Sequence, residues 1–259
     1  MKAKMDLIVN GKRLDGRGPE DLREIKITSN VIRNAAGSAY IEWGANKIIS
    51  AVYGPREALP KHISDPDKAI IKCRYTMAPF SSLEEHGKPG MNRRAVEISK
   101  VTAEVFEDVI LVDSFPGNEI SIFIEVLQGD GGTRAAGITC AAVALATSGI
   151  PMRDMPYAVS AGRIGESVVL DLNKIEDNYS EADMPVAISP RTGNINLLQM
   201  DGILTREQFR QAIGMVKKAG AEEGSHCRKS ACIEHIPVII EDVYIYKDLP
   251  YFACFYEEL

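Results

Sequence analysis

The sequence of residues 119–147 predicts a strand, a glycine-rich loop and a helix that follow one another without a spacer. The strand, predicted over Glu119 to Leu127, carries branched apolar residues on one face: Ile120, Ile122, Ile124 and Val126. The helix, predicted over Ala135 to Thr147, is built mainly of Ala, Thr, Val, Leu and Ile. Because such a helix has no polar face to turn to water, we expect it to pack closely against a sheet. A layered structure of helices on sheets follows.

The loop between this strand and this helix, residues 129–134, reads Gly-Asp-Gly-Gly-Thr-Arg. Backbone N–H groups at a helix start attract anions, glycines leave the approach open, and Arg134 would close the site. The Gly-Lys-Ser/Thr ending of the Walker motif is not present. Glycine loops before helices are also common structural turns. The loop therefore predicts either a phosphate cradle or a plain turn.

Strands followed by a helix occur twice along the chain. The first half predicts a hairpin over 37–53 that Gly54 and Pro55 end, a strand over 71–77 and an amphipathic helix after Arg94. The second half predicts hairpins over 158–172 and 186–200, then a helix that Thr205 and Gln208 cap. The repeated order indicates an α+β protein with two similar βα lobes.

The stretch from Pro151 to Pro156 is typical of a linker between two lobes. At 259 residues, each lobe is large enough to bury its own core. We place the lobes at residues 1–150 and 151–236. Residues 237–259 are treated as a C-terminal extension of unknown role.

The charge balance argues against a protein that coats nucleic acid through its overall charge. The chain has 30 basic and 36 acidic residues, a formal net charge of −6, so a polyanion site has to be local. Five scattered cysteines without a secretory leader predict reduced thiols and a cytoplasmic location. No apolar run is long enough to span a bilayer, so no membrane association is expected.

Two arginines, Arg93 and Arg94, directly precede the first amphipathic helix. The positive end of a helix dipole disfavours cations, so this pair is unfavourable unless an anion lies between the arginines and the backbone N–H groups. The pair predicts either an anion site or an ordinary charged surface.

The run from Asp171 to Ile188 is rich in carboxylates and lies between two apolar segments. We expect its acidic residues at strand ends or in the connection between strands. Asp177 and Asp183 are separated by a short polar connection, and two carboxylates held close together can share a divalent cation. A solvated acidic loop is the alternative.

Five motifs in this chain resemble those of the RNase PH family, in the family's order and spacing. They are RLDGR at 13–17, GANKIISAVYGPRE at 44–57, NRRAVEISK at 92–100, QGDGGTRAAGI at 128–138 and EDNYSEADMPVAI at 176–188. The resemblance covers roughly residues 10–220. Within the family, the form ADMPVA looks most like the catalytic ring subunit of the archaeal exosome. The resemblance implies an RNase PH-like α+β fold, in which two βα lobes have mixed sheets packed against helices.

The resemblance also implies an activity: 3′-to-5′ phosphorolysis of RNA, with inorganic phosphate as co-substrate and reversal to 3′ tailing. It assigns the attacking phosphate to Arg94, Gly132, Thr133 and Arg134, and the RNA to Arg93, Arg94 and Lys61. It assigns catalysis and a Mg²⁺ or Mn²⁺ ion to Asp177 and Asp183. Arginine is frequent in the family where this chain has Lys61.

The implied partners are single-stranded RNA 3′ ends, an inactive RNase PH-like paralogue in a hexameric ring and RNA-binding cap proteins. Three alternatives stay open at this point. The chain could be a bacterial-type RNase PH acting on tRNA 3′ ends, a non-catalytic RNA-binding ring scaffold, or a metal-dependent hydrolase that releases nucleoside monophosphates. A scaffold would not need Asp177 and Asp183, which are both present.

Overall fold

The computed structural model describes residues 7–9, 11–82 and 93–230. The strands are β1 Ile8–Val9, β2 Lys12–Arg13, β3 Ile25–Ser29, β4 Gly37–Trp43, β5 Asn46–Glu57, β6 Ile70–Met77, β7 Asn118–Gln128, β8 Tyr157–Ile164, β9 Ser167–Leu170, β10 Ala182–Ser189, β11 Asn194–Leu198 and β12 Asp201–Gly202. The α-helices are α1 Arg93–Val109, α2 Thr133–Thr147, α3 Lys174–Tyr179 and α4 Arg206–Ser230. Short 3-10 helices span Lys61–Ile63 and Val112–Ser114.

The chain folds into two main sheets, one from each half. The first has the strand order β3-β4-β5-β7-β6, in which β6 and β7 are parallel and the other pairs are antiparallel. Helix α1 lies on the connection between the two parallel strands and packs on β6, as a parallel pair requires a crossover. The second sheet has the order β11-β10-β8-β9, with β12 also on β10, and its pairs are antiparallel. The predicted α+β class is confirmed.

Helix α2 is the shared core element of the two sheets. It packs against β4 and β5 of the first sheet and against β8 of the second, and most of its residues are buried. Its small side chains allow this close approach. At Gly37, a Cβ atom would overlap the carbonyl oxygen of Ala144 on the helix. The burial expected from the composition of this helix is confirmed.

Two predicted boundaries were wrong. Strand β5 does not end at Gly54 and Pro55 but continues to Glu57, because a register shift between Tyr53 and Arg56 accommodates the proline, which has no N–H. The predicted connection before Val186 contains helix α3, and β10 begins at Ala182. A capping box starts α3: the Asn173 side chain accepts from the Glu176 N–H, and Glu176 accepts from the Asn173 N–H.

The cap predicted for the last helix is confirmed. The Gln208 N–H donates to Thr205 Oγ1 at 3.2 Å, and the Thr205 N–H donates to Gln208 Oε1 at 3.0 Å. The extension at 237–259 lies outside the residues that the structure describes. None of the helices in the described ranges is long and apolar enough to cross a membrane. The lobe boundaries at 150 and 236 stay predictions.

Candidate active site

A cavity of about 560 Å³ lies where the start of α2, the helix α3 and the first residues of β10 meet. Residues predicted for phosphate binding and catalysis line it together: Arg94, Gly132, Thr133, Arg134, Asp177 and Asp183. They come from both halves of the chain. The fold therefore joins the glycine loop of the first lobe to the carboxylates of the second.

The glycine loop takes a conformation that glycine alone adopts readily. Gly131 has φ 73° and Gly132 has φ 67°, and Gly132 is the N-cap of α2. A Cβ on Gly131 would lie 2.6 Å from the carbonyl carbon of Asn173, so the loop packs directly against the start of α3. Thr133, the residue after Gly132, is held by the first sheet: Tyr75 Oη donates to Thr133 Oγ1 at 2.9 Å. The loop and α3 thus have a fixed relative position.

Neither Asp177 nor Asp183 forms an ion pair within the part of the chain that the structure describes. Burial and the charge of Asp177 together raise the pKa of Asp183 to about 7, against the opposing charges of Arg134 and Arg94. Burial also raises the pKa of Asp177, with Arg94 and Arg134 lowering it and Asp201 raising it. Two partly desolvated carboxylates therefore face the same two arginines.

The two arginines of the cavity differ in how they are held. Arg134 is partly buried, lies 3.5 Å from Glu97 through Nη2 and Oε1, and also donates to Gln199. Gln199 in turn donates to Glu97 at 3.1 Å. Arg94, in the first turn of α1, is exposed at the rim of the cavity. A site that combines these cations with helix N–H groups is suited to a phosphate or phosphodiester.

The other two predicted RNA-binding residues lie outside this cavity. Lys61 is 82% exposed and pairs with Glu57 at 3.2 Å. Arg93 is exposed at the first position of α1. The assignment of both residues to RNA stays a prediction.

Sequence reasoning missed Asp201, Gln199 and Glu97 at this site. Asp201 lies opposite Asp183 in the β10–β12 register and also lines the cavity. The available signal was the Asp201-Gly202 pair, which is equally typical of an ordinary turn. Gln199 and Glu97 act on Arg134 from distant positions, and no local pattern reports such a contact.

The basic turn at 13–17 has a structural place next to the site. Arg13 is buried and pairs with Glu176 through both carboxylate oxygens, with Nε 2.7 Å from Oε1. Its Nη1 donates to the carbonyl of Leu170 at 2.6 Å. Glu176 precedes Asp177 on α3, so this buried pair fixes the helix that carries a cavity carboxylate.

Comparison with known proteins settles the family. Residues 21–151 match domain 1 of the 3′ exoribonuclease family, RNase PH, and residues 154–219 match domain 2. The chain belongs to the RNase PH family. Its predicted fold and its predicted activity, phosphate-dependent 3′-to-5′ exoribonuclease, are confirmed at the level of the family.

Two similar proteins are exosome complex components from archaea. The chain is 55% identical to the exosome complex component Rrp41 of Pyrococcus furiosus over 234 residues, 90% of this chain and 93% of the relative. It is also 55% identical to Rrp41 of Thermoplasma volcanium, over 80% of this chain and 83% of that relative.

Solved structures show the same fold at low identity. A structure of the Archaeoglobus fulgidus exosome with RNA bound to the active site matches with a TM-score of 0.74 at 20% identity, covering 84% of this chain and 93% of that chain. Rrp46 from rice matches with a TM-score of 0.76 at 22% identity, covering 85% of this chain and all of that chain.

Proposed function

We propose that this RNase PH family member is the catalytic subunit of an archaeal-type exosome ring. It shortens single-stranded RNA from the 3′ end, one nucleotide at a time, and releases nucleoside diphosphates. Inorganic phosphate attacks the last phosphodiester: a phosphate oxygen bonds to phosphorus, the bond to the 3′ oxygen of the preceding nucleotide breaks, and that oxygen takes a proton. Because one phosphate bond replaces another, excess nucleoside diphosphate drives 3′ tailing.

The observation that carries this proposal is the meeting of two chemically opposite groups in one cavity. The glycine loop, Arg94 and Arg134 supply donors and positive charge, and Asp177 and Asp183 supply carboxylates. Attack of one anion on another needs positive charge around both. Arg134 and the N–H groups of Gly132 and Thr133, which line this cavity, would hold the attacking phosphate, and Arg94 at the rim would lie between phosphate and RNA.

The carboxylate pair fits a divalent cation. Asp177 and Asp183 line the cavity and have no cationic side chain as an ion-pair partner among the residues described, although two arginines lie near enough to lower their pKa values. Mg²⁺ binds in proteins through one or two carboxylates together with substrate phosphates. Asp177 and Asp183 would hold Mg²⁺ or Mn²⁺, which when bound neutralises charge on the reacting phosphoryl group. Asp183 would also act on the leaving oxygen.

RNA entry and assembly extend the proposal beyond the cavity. Exposed Arg93 and Lys61 would contact RNA phosphates on the way to the site. The similarity to Rrp41, an exosome complex component, and to a solved exosome with RNA at its active site supports a ring. We propose a cytoplasmic hexamer in which this chain alternates with an inactive RNase PH-like paralogue and carries RNA-binding cap proteins.

Product identity tests this function. The chain, alone and with the candidate paralogue, is incubated with end-labelled single-stranded RNA with and without inorganic phosphate. We expect decay only with phosphate, nucleoside diphosphates as products, and tailing when diphosphate is in excess. If RNA decayed equally fast in phosphate-free buffer and gave nucleoside monophosphates, the reaction would be hydrolysis and not phosphorolysis. If light scattering found only monomers with the paralogue present, the proposed ring would be contradicted.

A carboxylate variant tests the proposed site. Asp177→Asn removes a group that acts mainly in the transition state, so turnover should be lost while RNA affinity stays equal or improves slightly. Asp108→Asn is the matched control, because Asp108 is an exposed carboxylate on α1 that does not line the cavity. Wild-type turnover of the Asp177→Asn ring would remove this carboxylate from the mechanism.

A further inference from the structure

We propose that Asn46 and Arg23 are positioning residues for the phosphate site: together they fix the peptide groups of the glycine loop so that its N–H groups face the anion. The inference rests on the proposed function, in which this loop holds the attacking phosphate. Neither residue lines the cavity. Their effect is exerted through the backbone of Asp130 and Gly131.

Asn46 uses both ends of its side-chain amide on the loop. It is the first residue of β5 and is fully buried, with 0% exposure. Its Nδ2 donates to the Gly131 carbonyl at 2.7 Å, and its Oδ1 accepts from the Asp130 N–H at 2.6 Å. A buried amide that satisfies one donor and one acceptor of the same loop allows a single orientation of that loop.

Arg23 holds the same two residues from the segment before β3. Its Nη1 donates to the Asp130 carbonyl at 2.6 Å, and its Nη2 donates to the Gly131 carbonyl at 3.2 Å. The guanidinium is itself fixed, because Asp171 accepts from Nε at 2.9 Å and from Nη2 at 2.6 Å. Two carbonyl groups of the loop are therefore held by a side chain that has little freedom to turn.

Carbonyl orientation matters because of the glycines. Gly131 and Gly132 are both at positive φ and have no side chains to resist rotation of their peptide groups. A rotated peptide would present a carbonyl oxygen, which repels phosphate. In a trans peptide the N–H points opposite to the C=O. Holding the Gly131 carbonyl on the side of Asn46 and Arg23 therefore directs the Gly132 N–H away from them, and Gly132 is the residue of this pair that lines the cavity.

The test uses Asn46→Asp, which keeps the acceptor for the Asp130 N–H and replaces the donor to Gly131 by an oxygen. We expect the KM for phosphate to rise about tenfold, the lower end of what loss of one hydrogen bond to a charged group produces. RNA affinity should stay within about twofold, because the variant leaves the arginines in place. Asn118→Asp is the matched control: Asn118 Nδ2 also donates to a backbone carbonyl, that of Pro116 at 3.2 Å, at the far end of β7.

Arg23→Lys is the second variant, since a lysine keeps the charge and cannot bridge Asp171 and two carbonyls at once. For both variants, the rise in Tm produced by added inorganic phosphate is compared with that of wild type. The shift is measured within each protein, so a lower baseline stability does not obscure it. We expect a smaller phosphate-induced rise for both variants and a wild-type rise for Asn118→Asp.

The outcomes separate this inference from the proposed function. A wild-type ring without phosphate-dependent decay overturns the proposed function. A wild-type ring that is active, with unchanged phosphate KM and unchanged phosphate-induced Tm rise in Asn46→Asp and Arg23→Lys, overturns the positioning role. Equal losses of RNA affinity and phosphate affinity also overturn it, in favour of a general loss of structure.

Discussion

Asp171 and Arg23 form a two-point ion pair, with Nη2 2.6 Å from Oδ1 and Nε 2.9 Å from Oδ2. Trp43 Nε1 also donates to Oδ2 at 3.0 Å. The same Trp43 stacks on Tyr157 of the second sheet, with ring centroids 5.8 Å apart. The pair therefore lies where the two sheets meet, and through Arg23 it reaches the carbonyls of the phosphate loop. Stability of the lobe contact and geometry of the site depend on one network.

The acidic run of the sequence divides into two groups in this network. Asp171 and Glu176 neutralise buried arginines, whereas Asp177 and Asp183 face the cavity. Helix α3 separates them: successive residues point in directions about 100° apart, so Glu176 enters the core while Asp177 reaches the cavity. The ion pairs of Asp171 and Glu176 therefore hold the segment that carries Asp177 and Asp183.

Glu176→Gln should be strongly destabilising. It leaves Arg13 buried with a neutral partner, and breaking a buried pair from one side costs about 3–5 kcal/mol. Urea unfolding of the purified variant measures this. Glu104→Gln is the control, since Glu104 and Lys100 form an exposed pair at 3.8 Å that should contribute within about 0.5 kcal/mol. A variant with wild-type stability would show that the buried pair makes no net contribution.

Asp171 should make the free energy of unfolding depend on pH in the acidic range. Burial alone raises its pKa, but the hydrogen bonds and charge of Arg23, with the Trp43 hydrogen bond, lower the pKa below its usual value. Its contribution is therefore present above the unfolded pKa and is lost as pH falls through the folded pKa. Urea midpoints of wild type and Asp171→Asn should differ at pH 7, and the difference should begin to shrink as the pH falls below about 4. A gap that stays constant down to pH 2 would contradict this.

Asp183→Asn should stabilise the metal-free protein while abolishing turnover. Burial and the charge of Asp177 raise the pKa of Asp183 to about 7, so at pH 8 the wild-type protein holds a disfavoured charge there. Stability from a carboxyl with a raised pKa is lost as pH rises through that value. Thermal unfolding at pH 8 in EDTA should give a higher Tm for the variant. A lower Tm would mean that the carboxylate has a stabilising partner.

Gly131→Ala should reduce turnover by moving α3. Its φ of 73° strains any L side chain, and the added Cβ would lie 2.6 Å from the backbone of Asn173. Gly165→Ala is the control for strain alone, because Gly165 has φ 60° but no atom within 4 Å of the new Cβ. Both should lose about 1 kcal/mol to strain. Turnover measured in single-turnover decay should fall only for Gly131→Ala, and an equal fall in both would assign the effect to strain.

Local sequence patterns correctly predicted those secondary-structure elements and helix caps that depend only on neighbouring residues. The strand, glycine loop and helix over 119–147 and the Thr205 cap follow from periodicity and capping rules. Contacts between distant segments were not accessible in that way. The motif RLDGR at 13–17 carries no local sign that Arg13 is buried, because its partner Glu176 lies 163 positions away. The six-residue helix α3 is too short to show a helical period, and only its capping box, Asn173 with Glu176, marks it.

Substitution of Arg93 and of Arg94 should impair different steps, RNA binding and phosphate binding, although the two residues are neighbours on α1. Arg94 lines the cavity and lowers the pKa of both carboxylates, whereas Arg93 is exposed outside the cavity. Arg94→Ala should therefore raise the KM for phosphate and slow single-turnover decay. Arg93→Ala should weaken RNA binding and reduce the slope of affinity against salt by about one phosphate contact, with the phosphate KM unchanged. Both variants are measured in the assembled ring, by RNA binding across a salt series and by decay across a phosphate series. If Arg93→Ala raised the phosphate KM as much as Arg94→Ala, the cavity would not distinguish the two arginines, and both would belong to a single anion site at the start of α1.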